Sequence, residues 1–220
     1  MVMFMKEDLI SISKLNESKS IEFTKKKINP DETYFEDIHF KNLIITEEFS
    51  SISFQNCRFS NVRFIGCEFE LCNFVSCELL TCDFSSSKIR SSYFKNVIIK
   101  DCKFLGVFIE DSTYENINFI NNHLPLTSFY STTFKNINFL DNVFKDALFS
   151  QSKFKEKVCF ENNNFESIGF YKTPLKDIDL STNRIDKLQV SSVNKNELDG
   201  VTLTAQQALQ LLSLLNIKIK

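Results

Sequence analysis

Apolar residues in this chain recur on a beat of five. From Phe49 to Phe154 every fifth residue is apolar, giving 22 consecutive positions, 16 of them Phe, in a chain with 24 Phe in all. This period matches neither the 3.6 of an amphipathic helix nor the 2 of a flat strand. The flanking columns explain it. Two residues before the apolar position, 16 of 22 places hold Cys, Ser, Thr, Ala or Val; two residues after it, 17 of 22 hold Asn, Asp, Ser or Gly. The second group are turn formers. Each unit therefore offers one large and one small inward residue, then a corner. Four corners close a square, and stacked squares pair through their backbones at a rise of about 4.8 Å.

The beat starts at Phe35, Phe40 and Ile45 and loses one residue before Phe49. It gains one residue around 155–159 and resumes at Phe160, running through Leu175 and Leu180 to Ile185 and Val190. The extra residue is expected to bulge outward at a corner. The pattern predicts an all-β rod of about eight coils, roughly 40 Å long. Its open ends need caps. Residues 1–34 are expected to cap one end, residues 35–190 to form the repeat body, and residues 191–220 to close the other.

In the closing segment, Thr204 and Gln207 make a capping box that opens a short α-helix. Ala205, Ala208, Leu209, Leu211, Leu212, Leu214 and Leu215 give that helix a broad apolar face, Asn216 stops it, and residues 217–220 alternate like a short edge strand. Surplus apolar surface at Leu209, Leu211, Leu212, Leu215 and Ile217 is the expected homodimer interface. The alternative is a cap buried wholly within one chain.

Composition narrows the chemistry. The four glycines (Gly66, Gly106, Gly169, Gly200) cannot form a G-x-G-x-x-G or P-loop cradle. A net charge of −2 argues against a general nucleic-acid binder. The apolar start is too short for a signal-peptide core and no run approaches a membrane span, so a soluble, cytoplasmic protein is expected. Seven cysteines, an odd number, fit a reducing compartment. Six of them (Cys57, Cys67, Cys72, Cys77, Cys82, Cys102) lie in the small inward column, where neighbours five apart occupy successive sides of the square; they read as packing residues, not zinc ligands.

His39 and His123 are the only histidines, and neither sits in a nucleophile–base motif. The paired carboxylates Glu47-Glu48 and Glu110-Asp111 fall on outward or corner positions. A coil packed with Phe leaves no interior room for a substrate, so no enzyme activity, cofactor or metal is expected. Function is then expected on the outward columns. One face stacks Leu80, Ile120 and Leu140, with Ile98 beside them and Lys100 interrupting; these apolar residues are the candidate partner surface. Residues 35–190 hold 20 acidic and 17 basic side chains, a mild negative excess.

Runs such as Cys-Arg-Phe-Ser-Asn (57–61), Cys-Glu-Phe-Glu-Leu (67–71), Cys-Asn-Phe-Val-Ser (72–76) and Cys-Asp-Phe-Ser-Ser (82–86) resemble the pentapeptide repeat family. That resemblance implies a right-handed quadrilateral β-helix. Within the family, residues 173–181, 197–208 and 214–217 are similar to the last coil and C-terminal signature of Qnr-type fluoroquinolone-resistance proteins. This implies a dimeric rod, acidic outside and about as wide as a DNA duplex, without direct nucleic-acid contact. Such a rod binds DNA gyrase or topoisomerase IV where DNA would lie, modulates it and protects it from quinolones. The outward residues support a second expectation: a scaffold that docks another cytoplasmic protein through the apolar stripe.

Overall fold

The computed structural model describes residues 20–21, 33–45, 48–191 and 197–211. The chain winds as a quadrilateral β-helix of about eight coils with one short C-terminal helix, Ala205–Leu211. All strand pairing is parallel, as a coil stacked on itself requires. The first face is an eight-stranded sheet from Glu48–Ser50 to Leu188–Val190. The second and third faces merge into one eleven-stranded sheet, because strands such as Tyr93–Lys100 and Thr133–Leu140 run through the corner between them. On the fourth face, single bridges link Ile44, Arg63, Asp83, Lys103, His123 and Val143 in turn, and strands appear only from Val143–Lys145 onward.

The register records each departure from the beat. Phe40 pairs with Phe59, Phe54 with Phe74, and Phe149 with Phe170. The missing residue before Phe49 shortens the first coil, and the extra residue lengthens a later one. The extra residue falls where Lys135 pairs with Lys155 but Ile137 pairs with Val158, at the corner after Phe154. Phe154 is only half-buried, whereas every other lattice residue from Phe49 to Phe149 is buried.

The corners obey the sequence pattern. All 22 residues at the corner position from Ser51 to Glu156 have positive φ, 20 of them non-glycine. Left-handed backbone suits Asn, Asp, Ser and Gly and strains the rest. Leu71 and Leu126 nonetheless hold φ of 56° and 55° with exposed side chains.

Inside, rings stack coil on coil and meet edge-on across the square. Phe49 lies 4.8 Å from Phe69 at 3° between planes, and Phe94 lies 4.6 Å from Tyr114 at 5°. Phe54 and Phe59, on adjacent sides, meet at 81°. Each such pair adds about 0.5–1.5 kcal/mol beyond area burial.

The small inward column does more than fit. Several of its side chains donate to the carbonyl of the apolar residue one coil below and one side back, as a second donor beside a backbone N–H, while Ser92, Ser112 and Thr132 donate to the carbonyl two residues back in their own coil. Cys72 Sγ reaches Phe49 O at 3.5 Å, Thr127 Oγ1 reaches Phe104 O at 2.7 Å and Ser152 Oγ reaches Phe129 O at 3.0 Å. Cys, Ser and Thr fit there because they are small and their own buried donors find a carbonyl, as buried polar groups require.

On the fourth side the column becomes a buried asparagine ladder, Asn122, Asn142, Asn163 and Asn183. Asn122 Nδ2 donates to Asn142 Oδ1, Asn142 Nδ2 to Asn163 Oδ1 and Asn163 Nδ2 to Asn183 Oδ1, at 2.9 to 3.0 Å. Each amide also donates to a carbonyl below, from Ile99 O to Phe160 O.

The capping box forms: Thr204 N donates to Gln207 Oε1 at 2.7 Å, and Gln207 N to Thr204 Oγ1 at 3.2 Å. Gln207 Nε2 also donates to Leu180 O and Asn183 O, tying the helix to the carbonyls of the last coil. Residues before the helix extend the ladder, with Leu175 N donating to Glu197 O and Leu180 N to Thr202 O. At the other end, Ser20–Ile21 pairs with His39 and Phe40. Thr33 and Tyr34, expected in the cap, already pair with the next coil, Ser53 N donating to Thr33 O at 2.8 Å; residues 1–19 and 22–32 and the expected edge strand at 217–220 lie outside the described residues.

Candidate protein-binding surface

Among the described residues the interior is filled with rings, and the accessible side chains of the coils are those of the outward columns and corners. The thiols are sealed: Cys57, Cys67, Cys72, Cys77, Cys82 and Cys102 are free and buried, and burial pushes the Cys72, Cys77 and Cys102 thiols up. A protonated thiol is a poor nucleophile and a poor ligand. Cys82 N donates to Cys102 Sγ at 3.3 Å, one coil apart. Among the described residues, no three His, Cys, Asp or Glu side chains converge on a metal-sized site. His39 Nε2 lies 2.9 Å from Ser60 Oγ, and burial, with Arg58 beside it, holds its pKa down. His123 stands exposed on the fourth face between Lys103 and Val143.

The outward charges form ladders up the rod. On the first face Glu68 pairs with Lys88 and with Arg90 at 3.8 Å, and Arg90 with Glu110 at 3.3 Å. Lys88 draws the Glu68 carboxyl below its ordinary range. A shallow depression there is lined by Glu48, Ser50, Glu68, Glu70, Lys88 and Arg90. On the second face, Glu115 takes Lys95 at 3.3 Å and Lys135 at 3.9 Å, and Lys135 also takes Glu156 at 3.4 Å. Tyr93 Oη donates to Glu115 at 3.0 Å and is the leading cause of that carboxyl's lowered pKa. Among the described residues no outward column is acidic along the whole rod; on the first face Glu48 and Glu68 are followed by Lys88.

The predicted apolar stripe lies on the third face in one register: Leu80 pairs with Lys100, Ile98 with Asn118, and Ile120 with Leu140. All four apolar members are half-buried. Neighbouring rungs about 4.8 Å away cover each from above and below. The large apolar side chains that stand most exposed on the coils are elsewhere: Ile44, Leu105 and Leu126 on the fourth face and its corner, Leu71 at the first corner and Tyr34 on the second face. Ile44 is 71 % exposed and Leu126 58 %. The beat itself marks Leu71 and Leu126, as leucines at corner positions.

Of the expected dimer residues, Leu209 is 55 % exposed and Leu211 packs partly against the core. Leu212, Leu215 and Ile217 lie outside the described residues.

Comparison with known proteins bears on the fold. A family model for pentapeptide repeats matches residues 52–90, with eight copies. No curated protein matches the sequence. A solved structure of trypsin-treated QnrB1, a plasmid-mediated fluoroquinolone resistance protein, is similar at 17 % identity and a TM-score of 0.51, covering 85 % of this chain and 100 % of that one. Rfr23, a pentapeptide repeat protein of the cyanobacterium Cyanothece 51142, matches at 10 % identity and a TM-score of 0.46, over 48 % of this chain and 86 % of its own. HetL, a pentapeptide repeat protein involved in heterocyst differentiation regulation in Nostoc sp. strain PCC 7120, matches at 9 % and a TM-score of 0.24, over 77 % and 86 %. The five-residue lattice and the square coils make the fold a quadrilateral β-helix, and over residues 52–90 the chain matches the pentapeptide-repeat model.

Proposed function

We propose that this chain is a non-catalytic, cytoplasmic rod that binds a type II topoisomerase, DNA gyrase or topoisomerase IV, and protects it from fluoroquinolones. The observation that carries the reading is the likeness to QnrB1, which extends over the whole of that chain. The capping-box helix seated on the last coil is consistent with it. The rod engages the enzyme as a stiff body in the place of duplex DNA. Because outward acids alternate with bases, the mimicry rests on shape and on local carboxylates such as Glu48, Glu68 and Glu70, not on one continuous acidic column.

A gyrase supercoiling assay with and without a fluoroquinolone tests this. The rod should alter supercoiling or relieve drug inhibition at micromolar concentration; no effect on either would refute it. The rod acts as a homodimer through its C-terminal segment, where Leu209 is exposed in the single chain. Light scattering should show a dimer that Leu209→Asp splits, and a monomer at high concentration would end that proposal.

A second reading is a scaffold for another protein, and the exposed Ile44, Leu105 and Leu126 favour it. In that case the supercoiling assay stays silent, and the predicted stripe of Leu80, Ile98, Ile120 and Leu140 contributes only the half of each side chain left open.

A further inference from the structure

The alternation of charge on the second face breaks at its C-terminal end. From Lys95 through Glu115 to Lys135 and Glu156, opposite charges meet rung by rung. Lys155 then pairs in register with Lys135, like charge on like. Lys153 stands two residues away on the same strand, on the other side of Phe154, and Lys176 takes the same outward position one coil on. Lys172 sits at the adjoining corner with φ of 50°, its backbone held because its N–H donates to Glu197 Oε1 at 2.7 Å. Lys153, Lys155, Lys172 and Lys176 are all exposed, and among the described residues none has a carboxylate within ion-pair distance.

Like charges on adjacent rungs are destabilising, and the chain as a whole is net negative, so this excess is local. No carboxylate guards the approach from the first face, whose outward residues next to this corner are Leu148, Ser150, Gly169 and Tyr171. The ring of Tyr171 spreads over Gly169, where a Cβ would lie 2.9 Å from Tyr171 Cε2. Glu156 and Asp177 bound the patch on its other side.

We propose that this lysine surface docks a short acidic segment of a partner protein in extended conformation. An extended strand presents alternate side chains on one side at about 6.8 Å, the spacing of Lys153 and Lys155 along their own strand. The four lysines occupy two adjacent rungs, about 4.8 Å apart. That is too short for the phosphate track of a nucleic acid, which needs about six or more contacts for tight binding, and the carboxylates flanking it repel a longer polyanion. The inference stands on the charge pattern and is independent of the topoisomerase reading.

Fluorescence anisotropy with the full chain, using a labelled alternating Glu-Thr peptide and a labelled short DNA duplex, tests it. The peptide should bind saturably, more weakly as salt rises from about 20 to about 200 mM. The triple variant Lys153→Glu, Lys155→Glu, Lys176→Glu should weaken binding at least about tenfold. The control triple Lys41→Glu, Lys100→Glu, Lys103→Glu makes the same charge change on other faces and should leave binding unchanged. Circular dichroism should show both triples folded, since every altered residue is exposed. Absence of saturable peptide binding, equal loss in both triples, or tighter binding of the duplex than of the peptide would each overturn the proposal.

Discussion

Replacing Asn142 with alanine removes the centre of the buried ladder. Its Oδ1 accepts from Asn122 N at 2.9 Å and from Asn122 Nδ2 at 3.0 Å; its Nδ2 donates to Phe119 O at 2.9 Å and to Asn163 Oδ1 at 3.0 Å. Two neighbours have other partners after the change. Asn122 Nδ2 still donates to Ile99 O, and Asn163 Oδ1 still accepts from the backbone N–H of residue 142. The Phe119 carbonyl likewise keeps the Leu140 N–H of the strand ladder. The Asn122 N–H keeps no partner, and it faces an interior closed to water. An orphaned buried donor costs about 1–3 kcal/mol and the lost amide bonds about 1 kcal/mol more, so Asn142→Ala should destabilise the rod by about 3 kcal/mol. That is a large share of the roughly 5–15 kcal/mol that holds a domain folded.

The comparison variant is Asn138→Ala. Asn138 is half-buried on the outer wall and donates to Asn118 Oδ1 at 2.9 Å; Asn118 is buried under its neighbouring rungs, and removing the Asn138 side chain opens it to water, so the loss should cost under about 1 kcal/mol. Guanidinium unfolding followed by far-UV circular dichroism, with thiol exposure as a second probe, measures both. The six sealed cysteines make thiol exposure a direct report of coil opening. A difference between the two variants below about 1 kcal/mol would refute the claim that the inner amides satisfy otherwise orphaned groups.

Gln207→Ala should destabilise the C-terminal end by about 2 kcal/mol, since it removes the capping box and the donor to Leu180 O and Asn183 O. Faster hydrogen exchange confined to the last coil and the helix is the expected sign, and uniform exchange along the rod would contradict it. Glu115 is held below its ordinary 4.5 by Tyr93 first and then by Lys95 and Lys135. A lowered carboxyl stabilises the fold above its unfolded pKa, and that contribution fades as pH falls through the folded value. Melting midpoints of Glu115→Gln should therefore change less with acid than those of the parent chain. Leu126→Asn should raise stability by up to about 1 kcal/mol, because Asn tolerates the left-handed backbone that strains Leu; a thermal melt showing a clear loss would argue that Leu126 packs against something within the chain.

The sequence by itself determined the coil. The large residue, the small residue and the corner former are all encoded within five positions, so the square, its stacking and its ring-filled core were legible without contacts at long range. The one-residue loss before Phe49 and the gain after Phe154 were also visible, since a shift of the beat is a local count. The capping box was legible for the same reason: Thr204 and Gln207 are three residues apart.

Tertiary structure decided which outward residues meet, because that depends on coil length summed over every loss and gain. The asparagine ladder spans four coils, and in a five-residue reading each Asn looks like an exception to the small column; only the stack shows each amide pairing with the next. The predicted stripe of Leu80, Ile98, Ile120 and Leu140 is half-covered by its own neighbours, whereas Ile44 and Leu126 stay open at the fourth face and its corner, where strands give way to single bridges and turns. The lysines of the second face likewise become a surface only when the register sets Lys155 on Lys135. A period of five specifies where each side chain points, but the neighbours that cover, pair or repel it come from the coils above and below.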